Sequence, residues 1–339
     1  MGYVNSLKTP CSFSEEIRQG KLKIGYVSPD FKNHSVARFF EPLLVSHTDQ
    51  FEVYCYYNNK VSDDITKRIE LACDHWRDIS RLTYIELYNL IRSDSVDILV
   101  DLAGHTSGNS LPVFAMGAAP IQISWLGFPD TTGLPTIDYR LVDSQTDPEG
   151  QDEEYYTETL YRLPGSFLTY QGDDSVEMET ASPIENKGYI TFGSFNNLSK
   201  VTTDVISTWS EILKRVDNSK LLLKSPHFSE PEMLDFYEQL FAKEGITADR
   251  LIFVEKTATV QEHLALYREI DICLDTFPYN GTTTTCEALW MGAPVITYMG
   301  ARHPEFDSLK SKKPFLGQIC TCLLGCRPFF AKSRVLARL

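Results

Sequence analysis

The sequence lacks the segments that direct a protein into or across a membrane. No apolar run within its 339 residues approaches the roughly 18 to 20 residues of a membrane-spanning helix. Residues 1–13 contain no basic stretch followed by an apolar core, so they do not resemble a secretory signal. We therefore expect no membrane partner and a cytoplasmic location.

Positive charge is scarce. The 32 Lys and Arg residues are outnumbered by 46 Asp and Glu, which gives a formal net charge of −14. Such a surface repels a phosphate backbone, which argues against a nucleic-acid partner and requires any phosphate site to be local. The eight cysteines contain no CxxC pair, and a chain of this size needs no cross-links, so we expect reduced thiols.

Several well-known site motifs are absent too. The sequence has no HExxH, no EF-hand loop and no DxD run between strand and helix, so it predicts no metal site. It also has no GxGxxG after the first predicted strand and no GxxxxGK[ST], which argues against dinucleotide oxidoreductases and P-loop enzymes. A phosphate would have to be bound by backbone N–H groups, hydroxyls and lysine, without a cofactor.

The chain does contain enough apolar material for two α/β lobes. It exceeds the about 100 to 200 residues of one ordinary domain, and 42% of its residues are hydrophobic. Short β-branched and aromatic runs alternate with stretches of helical period, which is typical of βα units around parallel sheets. In the first lobe the predicted strands are 22–28, 51–57, 96–102 and 121–126, and the predicted helices are 36–46, 63–74 and 84–92.

A second βα series begins at residue 188. Its predicted strands are 188–195, 219–224, 250–254, 271–275 and 294–298, and its predicted helices are 204–216, 230–244, 260–268 and 283–291. Between the two series, residues 143–187 are acidic and irregular, so few of them favour a sheet, and we place the junction near 170–187. The predicted divisions are an N-terminal extension (1–20), a first lobe (21–175), a second lobe (176–303) and a tail (304–339).

The segment 271–292 is the strongest candidate for a phosphate site. Its sequence, DICLDTFPYNGTTTTCEALWMG, runs from a buried strand through a turn with Gly281 into an apolar helix that starts among four threonines. The first N–H groups of a helix lack internal partners and the helix dipole is positive there, which favours a phosphate. The alternative is that Thr282 or Thr283 only caps the helix and that Glu287 is a surface acid.

A second candidate follows the first strand of the second lobe. In FGSFNNLSK, Asn197 and Lys200 come directly after the predicted strand 188–195. Ligands of open α/β sheets bind beyond the carboxyl ends of the strands, so both side chains are expected to face the same crevice as the threonine-rich helix. A lysine there can neutralise a departing phosphate. The alternative is a solvated loop lysine.

Three histidines are candidates for proton transfer. His34, near Asp30 in SPDFKNH, follows the first strand of the first lobe, and histidine is suited to proton transfer near neutral pH. His105, in DLAGHTSGN, and His263, in VQEHLAL, also lie just after a strand or on a helix beside one. A single histidine taken alone is more often structural.

Together these motifs resemble the catalytic region of the O-GlcNAc transferase family, glycosyltransferase family 41, including its bacterial and Spindly-like members. The similarity covers about residues 20–303 and includes LKIGYVSPDFKNHSV, VDILVDLAGHTSGN, ITFGSFNNLSK and DICLDTFPYNGTTTTCEALWMGAPVIT. The resemblance implies a GT-B architecture, in which two Rossmann-like parallel-sheet lobes face a cleft. It also implies inverting, metal-independent transfer of GlcNAc from UDP-GlcNAc to Ser or Thr hydroxyls of a protein acceptor.

The resemblance further implies roles for single residues. The implied catalytic residues are Lys200 and His34, the latter matching a proposed general base. The residues implied to bind the nucleotide sugar are Asn197, Ala258, His263, Gly281, Thr282, Thr283, Thr284 and Glu287. Of these, Asn197 would join Lys200 at the diphosphate, and the threonines would cradle phosphate. Glu287 would hold the ribose, while Ala258 and His263 would lie beside the uracil.

The sequence also departs from the family in two places. Asp130, in FPDTTG, stands where glycine is usual, and the family pattern stops after His303, where a basic tail with three of the eight cysteines begins. We therefore expect a truncated or frameshifted second lobe that is incomplete at its C-terminus. Three alternatives stay open: a relative that uses GDP-fucose, one that uses UDP-glucose, and a catalytically silent nucleotide-binding module.

Overall fold

The computed structural model describes residues 20–151, 153–177 and 182–298. By its contacts the chain divides into two compact units between Gln171 and Gly172. The predicted tail, 304–339, and residues 1–19 of the predicted extension lie outside the described residues. Within the described ranges, no helix is both long enough and apolar enough to cross a membrane.

The first unit is built on one parallel sheet. Its strands are β1 (Leu22–Ser28), β2 (Phe51–Tyr57), β3 (His75–Asp78), β4 (Ile98–Asp101), β5 (Ile121–Ser124), β6 (Tyr139–Asp143) and β7 (Thr159–Leu163). Its helices are α1 (Ser35–Leu44), α2 (Asp64–Ala72), α3 (Tyr84–Asp94) and α4 (Leu111–Ala115). The seven strands lie in the order β3-β2-β1-β4-β5-β6-β7, and every neighbouring pair is parallel.

Strand β1 shows why the central strands are so apolar. Ile24 and Tyr26 pack into a hydrophobic cluster on one face of the sheet, and Val27 packs into a second cluster on the other. Because successive side chains of a strand point to opposite faces, a strand covered on both faces must be apolar at nearly every position.

Strand β7 qualifies one prediction. Few of residues 143–187 were expected to favour a sheet, yet β7 lies within them and pairs with β6 along its full length. An edge strand has a single neighbour, and here only Leu160 is buried, so the apolar pattern is short and mixed. Glu158, just before the strand, is buried and accepts hydrogen bonds from the Thr132 N–H at 2.7 Å and the Thr131 hydroxyl at 2.6 Å. These bonds tie the start of β7 to the loop after β5.

Asp130 does not disturb the loop in which the family usually has glycine. Its backbone is not among the described non-glycine residues with positive φ, so the position does not require glycine. The Asp130 carboxylate accepts from the Thr131 N–H at 2.7 Å, and its carbonyl accepts from the Arg140 guanidinium at 2.8 Å.

The second unit is built on a smaller parallel sheet. Its strands are β8 (Thr191–Ser194), β9 (Lys220–Lys224), β10 (Leu251–Val254), β11 (Ile272–Leu274) and β12 (Val295–Ile296). Its helices are α5 (Pro183–Lys187), α6 (Thr203–Arg215), α7 (Pro231–Lys243), α8 (Val260–Ala265) and α9 (Thr283–Trp290). The strand order is β10-β9-β8-β11-β12.

Helices cover both faces of this second sheet. Trp209 of α6 and Phe241 of α7 are fully buried in one hydrophobic cluster, while Leu264 of α8 and Leu289 of α9 are buried in another. With both faces covered, the loops at the carboxyl ends of β8, β9 and β11 and the start of α9 are the parts placed to bind a ligand.

Candidate functional site

Polar groups from three segments, which follow β8, β11 and β12, meet at Asp275, which directly follows β11. Its carboxylate accepts hydrogen bonds of 2.7 to 3.3 Å from the backbone N–H groups of Thr276 and Gly281 and from the side chains of Asn196, Asn280 and Thr297. Asp275 is 6% exposed. Burial raises its pKa, and these hydrogen bonds oppose that rise.

Gly281 is required by close packing. A Cβ atom at this position would lie 2.5 Å from both Asn196 Oδ1 and Thr284 Oγ1. These two side chains are themselves bonded, since the Thr284 hydroxyl donates to Asn196 Oδ1 at 2.8 Å. The predicted glycine therefore lets the loop after β8 approach the start of α9.

The start of α9 has no side-chain cap. Thr282 is the N-cap residue, and its exposed side chain makes no cap hydrogen bond. The Thr285 hydroxyl instead donates backward to the Gly281 carbonyl at 2.9 Å. The capping role considered for Thr282 is thus not observed, and within the described ranges no side-chain acceptor is bonded to the first N–H groups of the helix.

Lys200 is not a solvated loop lysine. It ends the short 3₁₀ turn Leu198–Lys200 after β8, and its Nζ donates to the Asn280 carbonyl at 2.8 Å. The same Nζ lies 3.9 Å from the centroid of the Tyr279 ring. Burial lowers the pKa of Lys200 to about 8, against the opposing charge of Asp275. Lys200 is therefore a half-buried ammonium at neutral pH, held against the turn 276–281.

The two neighbouring asparagines differ in position. Asn197 is exposed, and its side-chain oxygen accepts from the Ser199 N–H at 3.0 Å, which caps the 3₁₀ turn. Asn196, which the sequence analysis missed, is buried and bridges Asp275 and Thr284. The available signal was the pair itself, because successive side chains of an extended chain point to opposite sides, so the two neighbouring asparagines are directed to different surroundings. The predicted contact of Asn197 with a diphosphate stays a prediction.

A second cluster of polar side chains consists of Glu287, which lies further along α9, together with His263 and Lys224. Glu287 is 4% exposed, so the alternative of a surface acid was wrong. Its Oε2 lies 2.8 Å from His263 Nε2, and His263 Nδ1 lies 2.6 Å from Nζ of Lys224. Because an ammonium only donates, this arrangement makes Nδ1 the acceptor and places the imidazole proton on Nε2, facing the carboxylate. Burial lowers the pKa of Lys224, while the charge of Glu287 opposes that effect.

Lys224 is the last residue of β9, and the sequence analysis did not single it out. Ala258 lies just before α8, where its backbone N–H donates to Glu262 Oε2 at 2.9 Å. Ala258 and His263 are the two positions predicted to lie beside the uracil. Because His263 is on α8 and Ala258 precedes it, both belong to this helix and the segment that leads into it.

The other two candidate histidines, His34 and His105, belong to the first unit. His34 is the N-cap of α1, where its Nδ1 accepts from the Val36 N–H at 3.3 Å and lies 3.6 Å from Asp30 Oδ2. With Nδ1 engaged as an acceptor, the neutral ring carries its proton on Nε2, so Nε2 can donate to an outside partner. Burial raises the pKa of Asp30, and the nearby His34 opposes that effect. His105 Nε2 donates to the Thr132 carbonyl at 2.9 Å, which is a structural contact.

Among the residues that the structure describes, no three or more His, Cys, Asp and Glu side chains are grouped to hold a metal ion.

Comparison with known proteins identifies the family. The model of glycosyl transferase family 41 matches residues 4–181 and 183–332. The chain is 38% identical over 299 residues to a tomato (Solanum lycopersicum) protein named "Probable UDP-N-acetylglucosamine--peptide N-acetylglucosaminyltransferase SPINDLY". That match covers 86% of this chain and 32% of the relative. A rice (Oryza sativa subsp. japonica) protein of the same name is 42% identical over 287 residues, covering 83% of this chain and 31% of the relative. The chain thus spans about a third of the length of these relatives.

A solved structure agrees with the sequence match. A mutant of the Thermobaculum terrenum O-GlcNAc transferase is 36% identical, with a TM-score of 0.84, over 89% of this chain and 57% of that one. This likeness confirms the predicted α/β, GT-B fold class. The chain belongs to glycosyltransferase family 41.

Proposed function

We propose that the chain is the catalytic region of an inverting glycosyltransferase that moves GlcNAc from UDP-GlcNAc to Ser or Thr hydroxyls of a protein acceptor. One observation carries the proposal: the half-buried ammonium of Lys200 is held at the turn that leads into the uncapped start of α9. The printed names of the plant relatives give the donor as UDP-N-acetylglucosamine and the acceptor as a peptide. The Thermobaculum protein is named an O-GlcNAc transferase.

The start of α9 has the chemistry to bind a diphosphate. Backbone N–H groups, that of Thr284 among them, and the helix dipole favour an anion there, and the nearby hydroxyls of Thr282 and Thr283 are further donors. The Thr284 hydroxyl already donates to Asn196 Oδ1. Lys200 adds a full positive charge in a half-buried setting, where charge interactions are stronger than in water. This local site accounts for phosphate binding by a chain whose net charge is −14.

We assign the ribose and the uracil to the cluster of Glu287, His263 and Lys224. A buried carboxylate such as Glu287 suits the two hydroxyls of a ribose, and its bond to His263 holds it in place. His263 and the entry to α8 at Ala258 would lie beside the uracil. Asn197, on the exposed side of the 3₁₀ turn, would approach the diphosphate.

The proposed reaction is a single displacement. The acceptor hydroxyl oxygen forms a bond to the anomeric carbon while the bond from that carbon to the UDP oxygen breaks, which inverts the configuration. UDP leaves with the bonding electron pair, and the hydroxyl proton passes to a base. Lys200 and the α9 N–H groups stabilise the charge that develops on UDP. We assign the role of base to His34, whose Nε2 can accept the proton when Nδ1 carries the ring proton and faces the Asp30 carboxylate, 3.6 Å away.

A ligand-binding test decides between the proposal and its alternatives. Thermal denaturation would be followed with UDP, GDP, UDP-GlcNAc, UDP-glucose and GDP-fucose, since a ligand at 100 times its Kd stabilises the native state by about 2.7 kcal/mol. We expect stabilisation by UDP and UDP-GlcNAc, together with transfer to a protein acceptor. Stabilisation by GDP alone would favour GDP-fucose, and UDP binding without transfer would favour the silent module. No stabilisation by any of them would refute the proposal.

The proposed chemistry requires no divalent metal. Lys200, the α9 N–H groups and the threonine hydroxyls are the groups assigned to the diphosphate charge, so transfer should proceed in excess EDTA at an unchanged rate. Initial rates with and without EDTA would be compared. A rate lost in EDTA and restored by manganese would contradict this assignment.

UDP affinity should depend on pH through Lys200. Burial lowers the pKa of this lysine to about 8, so its charge is present below that pH and is lost as the pH rises through it. We expect the affinity for UDP to be highest below the pKa and to fall above it. Calorimetry over a pH series would show this fall in the parent and its absence in Lys200→Met. An identical pH profile in the two proteins would contradict the assignment.

A further inference from the structure

The Asp275 carboxylate joins three separate segments of the second unit. Its partners are Asn196 in the loop after β8, Gly281 in the turn that leads to α9, and Thr297 after β12. Both carboxylate oxygens accept hydrogen bonds from the protein. Asp275 therefore links these three segments, and each of its carboxylate oxygens is already bonded to donors of the protein itself.

These hydrogen bonds connect Asp275 to residues at the proposed phosphate site. Through Asn196, Asp275 is connected to the Thr284 hydroxyl at the first turn of α9. Through Asn280 Nδ2, at 3.3 Å, it holds the residue whose carbonyl accepts from Lys200 Nζ. Asp275 thus helps to fix the turn 276–281, together with the bonds from Asn280 Nδ2 to the Thr276 carbonyl and the Thr297 hydroxyl at 2.9 Å, and Lys200 is held on that turn.

Asp275 also places negative charge near Lys200. Among the described titratable side chains, Asp275 and the Tyr279 ring are those that face this lysine. The carboxylate charge favours the ammonium form, whereas desolvation disfavours it. Removing the charge alone should therefore leave the lysine more easily deprotonated.

We propose that Asp275 is a positioning residue for the diphosphate site, which orders the turn 276–281 and keeps Lys200 in its charged form. This inference rests on the proposed function for its biological meaning. Its physical content, the order of the turn and the charge of the lysine, is measurable without any nucleotide.

The first test measures the protonation of Lys200 directly. The parent and Asp275→Asn would be labelled with trace acetic anhydride over a pH series, and the acetylation of each lysine would be measured by mass spectrometry. We expect the labelling midpoint of Lys200 to fall by about one pH unit in the variant, the scale of a lost neighbouring charge. Lys224, whose charged neighbours are Glu287 and Lys256, is the internal control and should keep its midpoint.

Thr297→Val is the matched control variant. It removes the hydroxyl that donates to Asp275 and accepts from Asn280 but leaves the carboxylate charge, so the Lys200 midpoint should stay at the parent value. A midpoint in Asp275→Asn equal to that of the parent would overturn the proposal. A fall of the same size in Thr297→Val would also overturn it, because the effect would then be a general loosening of the fold.

A second variant keeps the test decisive if Asp275→Asn fails to fold. Asn196→Ala preserves the charge and cuts the link to Thr284, so deuterium exchange across residues 276–285 should be faster with the Lys200 midpoint unchanged. Unchanged exchange there would overturn the positioning role. UDP affinity, measured in parallel, should fall about 10-fold in Asp275→Asn and in Asn196→Ala, which corresponds to a loss of about 1.4 kcal/mol of binding free energy. A parent that binds no UDP would refute the proposed function, while labelling and exchange would still decide the role of Asp275.

Discussion

Replacing Lys200 with alanine is expected to lower turnover by a factor of about 100 to 1000, the usual cost of losing one preorganised donor to transition-state charge. The departing UDP gains negative charge as the sugar bond breaks, and the Lys200 ammonium is the one full positive charge that we assign to it. The half-buried setting makes that charge more effective than it would be in water. Initial rates of GlcNAc transfer at saturating donor would measure the loss.

Folding should change little in this variant. Lys200 contributes a hydrogen bond to the Asn280 carbonyl and a contact with the Tyr279 ring, but its burial also costs desolvation. Lys214→Ala is the matched control, because Lys214 is an exposed helix residue that forms an ion pair with Glu211 on its own helix. Its turnover should equal that of the parent. Equal turnover in Lys200→Ala and the parent would remove Lys200 from the mechanism.

The central strands were predictable from local sequence. Strands β1 and β2 were predicted residue for residue, because both are covered on their two faces and their apolar runs end sharply. Strand β3, with the sequence HWRD, was missed because an edge strand has one neighbour and can remain polar. The helix predicted over 260–268 changes at residue 266 from an α-helix to a 3₁₀ turn, for which we have no physical account.

The part of the site that lies on one continuous segment of the chain was predictable from the sequence. Gly281 and the threonines of α9 form such a segment, in which strand, turn and helix follow one another along the chain. The partners of this segment were not predictable in the same way. Asn196 follows β8 and Lys224 ends β9, and they meet their partners only because the sheet places β9, β8 and β11 side by side. Local patterns do not specify that order.

Replacing Gly281 with alanine is expected to weaken UDP binding by about 10- to 100-fold and to lower the free energy of unfolding by about 1 to 3 kcal/mol. The added methyl group would lie 2.5 Å from Asn196 Oδ1 and from Thr284 Oγ1, well inside contact distance. The bond between those two side chains must then open, which leaves the buried Asn196 oxygen without its donor. The start of α9 would shift away from the loop after β8.

A double-mutant cycle isolates this clash from a general effect of the methyl group. Thr284→Ala removes one of the two atoms that the new methyl group would meet, so Gly281→Ala should be less destabilising in that background. We expect a coupling energy of about 0.5 to 3 kcal/mol between the two sites, measured by urea denaturation. Thr282→Ala, an exposed neighbour that caps nothing, should be close to neutral for stability. Additive effects of Gly281→Ala and Thr284→Ala would show that close approach at this turn is not what requires glycine.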